Sequence, residues 1–267
     1  MRTNIKVLIL GGVLILSVCI TYIVISMQGD KDRMDFPFTA DNGVSSTYHV
    51  FASHVDRSRA VGVLFWFHGD GAYEYYHPDD EAYIGGEEGI LSAAEKHNMI
   101  LIVPKTPDDV SETWWEDWEV NPEYAESLYK EILHKYQIDD SNVWQTGFSG
   151  GAQFTSYHFM PWVLENTDVT GGGAIMFGGG GPPEEYEDHV DQPDKIDEYV
   201  VRWAAGEADT AENSEENFDG RKEAEDGERW YSKQGFDTDI ELIPGRSHLL
   251  DGLYSSYIDR IISEAGK

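Results

Sequence analysis

Apolar stretches of strand length alternate along this chain with segments patterned as helices. Residues 60–67, Ala60-Val61-Gly62-Val63-Leu64-Phe65-Trp66-Phe67, carry no polar side chain at all. A strand that is buried on both faces reads this way. Residues 99–103, 143–146, 174–177, 199–205 and 239–243 continue the series, and residues 47–52 alternate like an early, half-exposed strand. The intervening segments follow a helical period. Asn121-Pro122 supplies an N-cap and a first-turn proline, and Tyr124, Leu128, Ile132 and Tyr136 then recur on one face. Residues 87–97, 150–159 and 254–265 read as further helices. Strands that alternate with helices, without an internal repeat, predict an α/β fold: a mostly parallel central sheet flanked by helices on both faces.

The first residues depart from this pattern. Residues 7–27 contain no charged side chain and are mostly Val, Ile and Leu. As a helix they would extend about 31 Å at 1.5 Å per residue, close to the thickness of a bilayer's hydrocarbon core. Arg2 and Lys6 precede the run. The expectation is therefore one N-terminal transmembrane helix, with the protein held single-pass in the cell membrane and the rest outside the cytoplasm. A cleaved signal peptide is the rival reading, and would make the protein secreted. The expected organisation is residues 1–28 as anchor or signal, 29–35 as linker and 36–267 as one catalytic domain. With 267 residues, the chain suffices for one such domain with a large core.

Charge narrows the range of partners. The chain has 50 acidic and 19 basic residues, a formal net charge of −31. Phosphate repulsion disfavours nucleic acid as a partner. The carboxylate excess suits high salt, where self-repulsion is screened, and none of its runs has the spacing of a calcium loop. Cys19 is the single cysteine and lies in the apolar N-terminal run, so no disulfide or thiolate metal site is expected beyond it.

Candidate chemistry centres on Thr146-Gly147-Phe148-Ser149-Gly150-Gly151, between a strand and a helix. Gly-x-Ser-x-Gly in that context is a nucleophile elbow: a sharp turn lifts the serine above the sheet, and the flanking glycines remove Cβ atoms that would collide. A serine hydroxyl needs a base, and the base an orienting acid. In this arrangement acid and base follow the serine in that order. The turn Gly206-Glu207-Ala208-Asp209 ends the strand at 199–205 and offers Asp209, with Glu207 as the alternative acid. Pro244-Gly245-Arg246-Ser247-His248 follows the last strand and carries the only histidine after residue 189, so His248 is the candidate base. The amides of Gly150 and of Asp70, in His68-Gly69-Asp70-Gly71 after the first buried strand, are the candidate oxyanion donors, and His68 is assigned a structural role. Trp115 and Trp118, in the loop Thr113-Trp114-Trp115-Glu116-Asp117-Trp118, are candidate substrate contacts.

These elements resemble the α/β-hydrolase superfamily. With Phe67-His68-Gly69, Ala94-Glu95-Lys96-His97 leading to Ile102-Val103-Pro104, and Tyr136-Gln137-Ile138-Asp139, the chain is similar to serine esterases of the polyhydroxybutyrate depolymerase and feruloyl esterase type. The resemblance covers most of residues 46–260. It implies hydrolysis of a carboxylic ester through an acyl-enzyme, with no cofactor or metal. A serine peptidase of the same fold and a non-catalytic surface binding domain are the competing expectations. The oligomeric state is not legible.

Overall fold

A computed structural model describes residues 31–183, 198–214 and 217–266. Its centre is one eight-stranded sheet. The strands are β1 (Arg33–Thr39), β2 (Ser45–Phe51), β3 (Gly62–Phe67), β4 (Met99–Pro104), β5 (Val143–Phe148), β6 (Gly172–Phe177), β7 (Tyr199–Gly206) and β8 (Asp237–Ile243), in the spatial order β1-β2-β4-β3-β5-β6-β7-β8. β1 pairs antiparallel with β2, and β2 with β4; every pairing from β4 to β8 is parallel. The expected mostly parallel sheet is therefore present, with an antiparallel hairpin on one edge.

The helices are α1 (Tyr73–Tyr76), α2 (Ile90–Lys96), α3 (Asn121–Tyr136), α4 (Gly150–Phe154), α5 (Met160–Asn166), α6 (Gly220–Gln234) and α7 (Tyr254–Ala265). They divide between the two faces of the sheet, as the continuous apolar strands demand. Along β3, Val63, Phe65 and Phe67 join one core with Leu128 and Ile132 of α3, Phe154 of α4 and Tyr231 of α6. The alternate residues Leu64 and Trp66 join a second core with Ala93 and Ala94 of α2 and Ile258 and Ile261 of α7. The pleat assigns successive residues to opposite faces, so polar positions find little place in β3 or β4.

The expectation of an N-terminal transmembrane helix is corrected. Among the described residues no helix is long and apolar enough to cross a membrane. The longest, α3, has 16 residues and includes Glu123, Glu126, Lys130 and Glu131. At 1.5 Å per residue it reaches only about 24 Å, against the ~30 Å of a hydrocarbon core. Residues 7–27, which carried the expectation, lie outside the described residues. The membrane as a partner and the single-pass localisation rested on the same run and are withdrawn with it.

Two further departures concern the sheet edge and the helix after the serine. β1 is not marked by the sequence pattern: it is an edge strand, and Arg33, Asp35 and Pro37 interrupt its apolar residues. The helix that begins at Gly150 continues past 159. A π-helical turn at Thr155–Phe159 follows α4 and leads straight into α5, with Pro161 in the first turn of α5, where a missing N–H costs little.

Candidate active site

The site lies where the parallel strands end. β5 stops at Phe148 and α4 starts at Gly150, so Ser149 alone makes the turn, at φ 52° and ψ −117°. That backbone conformation is costly for a residue with a Cβ. It persists because its neighbours fix it: Ser149 N–H donates to Phe177 O at 2.9 Å, and Gln153 N–H donates to Ser149 O at 3.0 Å. Both flanking glycines are required, for different reasons. A Cβ on Gly147 would lie 2.4 Å from the main chain of Gly151, whereas one on Gly151 would lie 2.1 Å from Phe67 O at the end of β3.

The loop after β8 brings His248 to the serine. Nε2 lies 2.8 Å from Ser149 Oγ, and Nδ1 lies 3.0 Å from Asp209 Oδ2. A carboxylate accepts and cannot donate, so Nδ1 carries the proton and Nε2 is left to accept the serine O–H. The imidazole is also flanked by rings. Phe148 lies 4.9 Å away, centroid to centroid, and Phe218 meets it edge-on at 5.6 Å. Asp209, only 2 % exposed, is closed in by the start of α6: a Cβ on Gly220 would fall 2.2 Å from its Oδ2, and Arg221 N–H donates to its carbonyl at 2.9 Å. Glu207, the other acid of this turn, is exposed, and its carbonyl accepts from Arg221 at 3.2 Å.

The loop after β3 lies beside the serine. A Cβ on Gly69 would come within 2.9 Å of the Phe148 ring, and one on Gly150 within 2.0 Å of Asp70 Oδ1. His68 anchors the loop from below. It is fully buried, and its Nε2 accepts from Thr106 N–H at 3.1 Å, so its Nδ1 is the donor to Gly69 O at 2.7 Å. Burial, reinforced by the positive charge of Lys105, pulls its pKa down to about 4, so the ring is neutral near pH 7. Glu74 of α1 is buried behind the same loop, and both its carboxylate oxygens lie 3.3 Å from Gly69 N–H. Burial pushes its pKa up to about 7, and the charge of Asp70 acts in the same direction.

The three tryptophans of the 113–118 loop separate. Trp114 is fully buried against Phe67 and Phe154, and Trp118 packs edge-on against Phe154 and His158. Trp115 is 47 % exposed, and its indole N–H is shared between the two oxygens of Asp70 at 3.0 and 3.2 Å. Ser149, His248 and Asp209 thus form one hydrogen-bonded line, with Gly150, Asp70 and Trp115 beside it and Trp118 packed on the body.

Sequence reasoning missed Gln153, one helical turn after Ser149. Its Oε1 accepts from Gly180 N–H at 2.6 Å and Gly181 N–H at 2.9 Å, fixing the glycine loop after β6. Its Nε2 donates to Glu223 at 3.2 Å, as does Tyr157 O–H at 2.7 Å. The four-residue spacing from the serine was the available signal.

No family model and no curated protein matches this chain. Solved structures do. Arabidopsis thaliana SOBER1 is 16 % identical with a TM-score of 0.57, over 78 % of this chain and 100 % of that one. A thermostable esterase is 17 % identical with a TM-score of 0.58, over 86 % of this chain and 61 % of that one. An acylaminoacyl peptidase is 10 % identical with a TM-score of 0.56, over 89 % of this chain and 41 % of that one. Identities this low speak for the fold, and together with the strand order and the serine turn they establish it: this chain has the α/β-hydrolase fold, shared by esterases and a peptidase.

Proposed function

We propose that the protein is a serine carboxylesterase. The observation that supports this most is the hydrogen-bonded line from Ser149 through His248 to Asp209, with contacts of 2.8 and 3.0 Å. His248 Nε2 takes the Ser149 proton as Oγ attacks the ester carbonyl. The amides of Gly150 and Asp70 stabilise the resulting oxyanion. The tetrahedral intermediate collapses to an acyl-enzyme, and His248 hands the same proton to the departing alcohol. Water then repeats the sequence: its proton goes to His248, its oxygen attacks the acyl carbon, and Ser149 leaves as the restored hydroxyl. Asp209 keeps the imidazole in its productive tautomer and stabilises the cation. Trp115 is retained as the substrate contact, because its half-exposed ring adjoins Asp70, whereas Trp118 is packed against Phe154 and His158.

The narrower kinship with polyhydroxybutyrate depolymerases and feruloyl esterases rests on the sequence motifs. It puts hydroxybutyrate and feruloyl esters on the first substrate panel, beside p-nitrophenyl acyl esters and peptide amides. Ester hydrolysis lowered by several orders of magnitude in both Ser149→Ala and His248→Ala supports the proposal. Turnover confined to amides would make the protein a peptidase, and no turnover of either class would leave a binding domain.

A further inference from the structure

The peptide that presents the Asp70 amide is pinned on both sides of Gly69. Gly69 has no side chain to restrict its two backbone dihedrals, and a Cβ there would lie 2.9 Å from the Phe148 ring. Its carbonyl accepts from His68 Nδ1 at 2.7 Å and from Ala72 N–H at 3.0 Å. In a trans peptide the N–H points away from the C=O, so these two bonds aim the Asp70 N–H to the opposite side. The Gly69 N–H is met by Glu74, with both carboxylate oxygens at 3.3 Å. Two consecutive peptide planes are thereby fixed, the one after Gly69 by His68 and Ala72 and the one before it by Glu74.

Glu74 does this from a buried position, 2 % exposed. The titratable groups that face it are the Asp70 carboxylate on the loop, Tyr83 after α1 and Tyr254 of α7. Burial, with neighbouring negative charge, raises both phenols, Tyr83 to about 12 and Tyr254 well above its usual value, so neither changes charge near pH 7. His68 is neutral there as well. The path from Glu74 to the chemistry is short. Gly69 N and Asp70 N are less than about 4 Å apart, and an oxyanion sits about 3 Å from its donor, so the Glu74 carboxyl lies within about 10 Å of the oxyanion. At an effective dielectric constant of about 20, one negative charge at that range weakens oxyanion formation on the order of tenfold.

We propose that Glu74 is a positioning residue of the oxyanion site and works best uncharged: its carboxyl holds the Gly69 peptide so that the next amide faces the oxyanion, and its ionisation sets a negative charge behind that amide. This rests on the esterase reading above and deepens the account of the same site. Protonated, Glu74 still offers its carbonyl oxygen to the Gly69 N–H. Ionised, it opposes the charge that develops on the substrate. Because burial places its pKa at about 7, the change falls in the neutral range.

The test compares full-length wild type, Glu74→Gln and Glu74→Leu on a neutral ester, p-nitrophenyl butyrate, at half-unit steps from about pH 6 to about pH 8.5, which spans the titration. Active sites are counted at each pH by complete reaction with a neutral fluorophosphonate, so that partial unfolding drops out of the rates. Glutamine keeps an acceptor for Gly69 N–H and never ionises; leucine keeps the bulk and removes the acceptor. The ratio of kcat/KM, E74Q over wild type, should rise on the order of tenfold across this range with a midpoint near 7, whatever its starting value, and the titration of His248 cancels from it. At about pH 6 the kcat of E74Q should exceed that of E74L on the order of tenfold, since a buried N–H left without its acceptor lets the loop shift. A ratio that is flat or falls with pH would mean that the charge of Glu74 does not reach the oxyanion. An E74L enzyme as active as E74Q would mean that Glu74 only fills space. Either result overturns the proposal. If E74L fails to fold, the pH profile of E74Q still decides it. The fluorophosphonate also separates the two levels: an adduct on Ser149 with a flat ratio refutes the role of Glu74 alone, and no adduct refutes the esterase reading with it.

Discussion

Glu74→Gln should make the protein more stable at pH 8 than the wild type, and the advantage should shrink as the pH falls toward 5. Glu74 is 2 % exposed, and burial raises its pKa from 4.5 to about 7. Moving the pKa from 4.5 to about 7 corresponds to about 3 kcal/mol. The sign follows from proton counts. Below pH 4.5 the carboxyl is protonated folded and unfolded, and nothing is lost. Between 4.5 and 7 the unfolded chain releases the proton while the folded one keeps it, so stability falls as pH rises. Above 7 both forms are ionised and the full penalty applies. Glutamine never ionises, and its oxygen can still accept from Gly69 N–H. The other large shift in this loop, that of His68, lies at about 4, outside the window. For a domain of this size 1 kcal/mol moves Tm by about 2–4 °C. Part of the penalty is already present at pH 5, so the Tm difference, E74Q minus wild type, should grow by roughly 5–10 °C between pH 5 and pH 8. Thermal melts at half-unit pH steps measure it, and the difference cancels the titration of all other groups. A difference that stays constant across the range would refute the reasoning, because Glu74 would not be changing its protonation there.

Three other predictions concern the site and the surface. Asp209→Asn should lower kcat by about 10⁴-fold while Glu207→Gln remains near wild type; steady-state ester kinetics that give the reverse order would move the acid to Glu207. Gly147→Ala places a Cβ 2.4 Å from the main chain of Gly151, so it should abolish ester hydrolysis and lower Tm, and retained activity would mean that the serine turn tolerates the shift. With 50 acidic against 19 basic residues, Tm should rise from about 0.05 to 2 M KCl as screening shortens the reach of repulsion, and a flat or falling trend would rule out adaptation to high salt.

The sheet was legible where strands are buried on both faces. β3 and β4 are continuous apolar runs because their side chains meet one core or the other, and β5 is buried throughout although Gln145 and Thr146 interrupt its apolar residues. β1 was not, since an edge strand needs no such run. α6 was equally obscure, because its buried positions are Gly220, Ala224, Gly227 and Tyr231. Small residues there allow close packing: a Cβ on Gly227 would lie 2.0 Å from Gly180 O. They do so without leaving a hydrophobic stripe to read. Ser149, Asp209 and His248 could be located because each ends a readable strand. The choice of Asp209 over Glu207 turns on burial under α6, which the sequence does not express. Glu74 carried no signal at all: an acid within Tyr73–Tyr76 reads as solvated, and it is the fold of the 68–71 loop that encloses it. The membrane-spanning expectation came from the length of the uncharged run at 7–27 and its basic flank, and no described helix bears it out.

The nucleophile is the central claim, and covalent trapping tests it most directly. The full-length protein should be treated with a neutral fluorophosphonate and mapped by peptide mass spectrometry. A single adduct on Ser149 is expected, formed rapidly in wild type, slowed by orders of magnitude in His248→Ala and absent in Ser149→Ala. An adduct on another residue, or none in the wild type, would contradict the assignment of Ser149 as an activated serine.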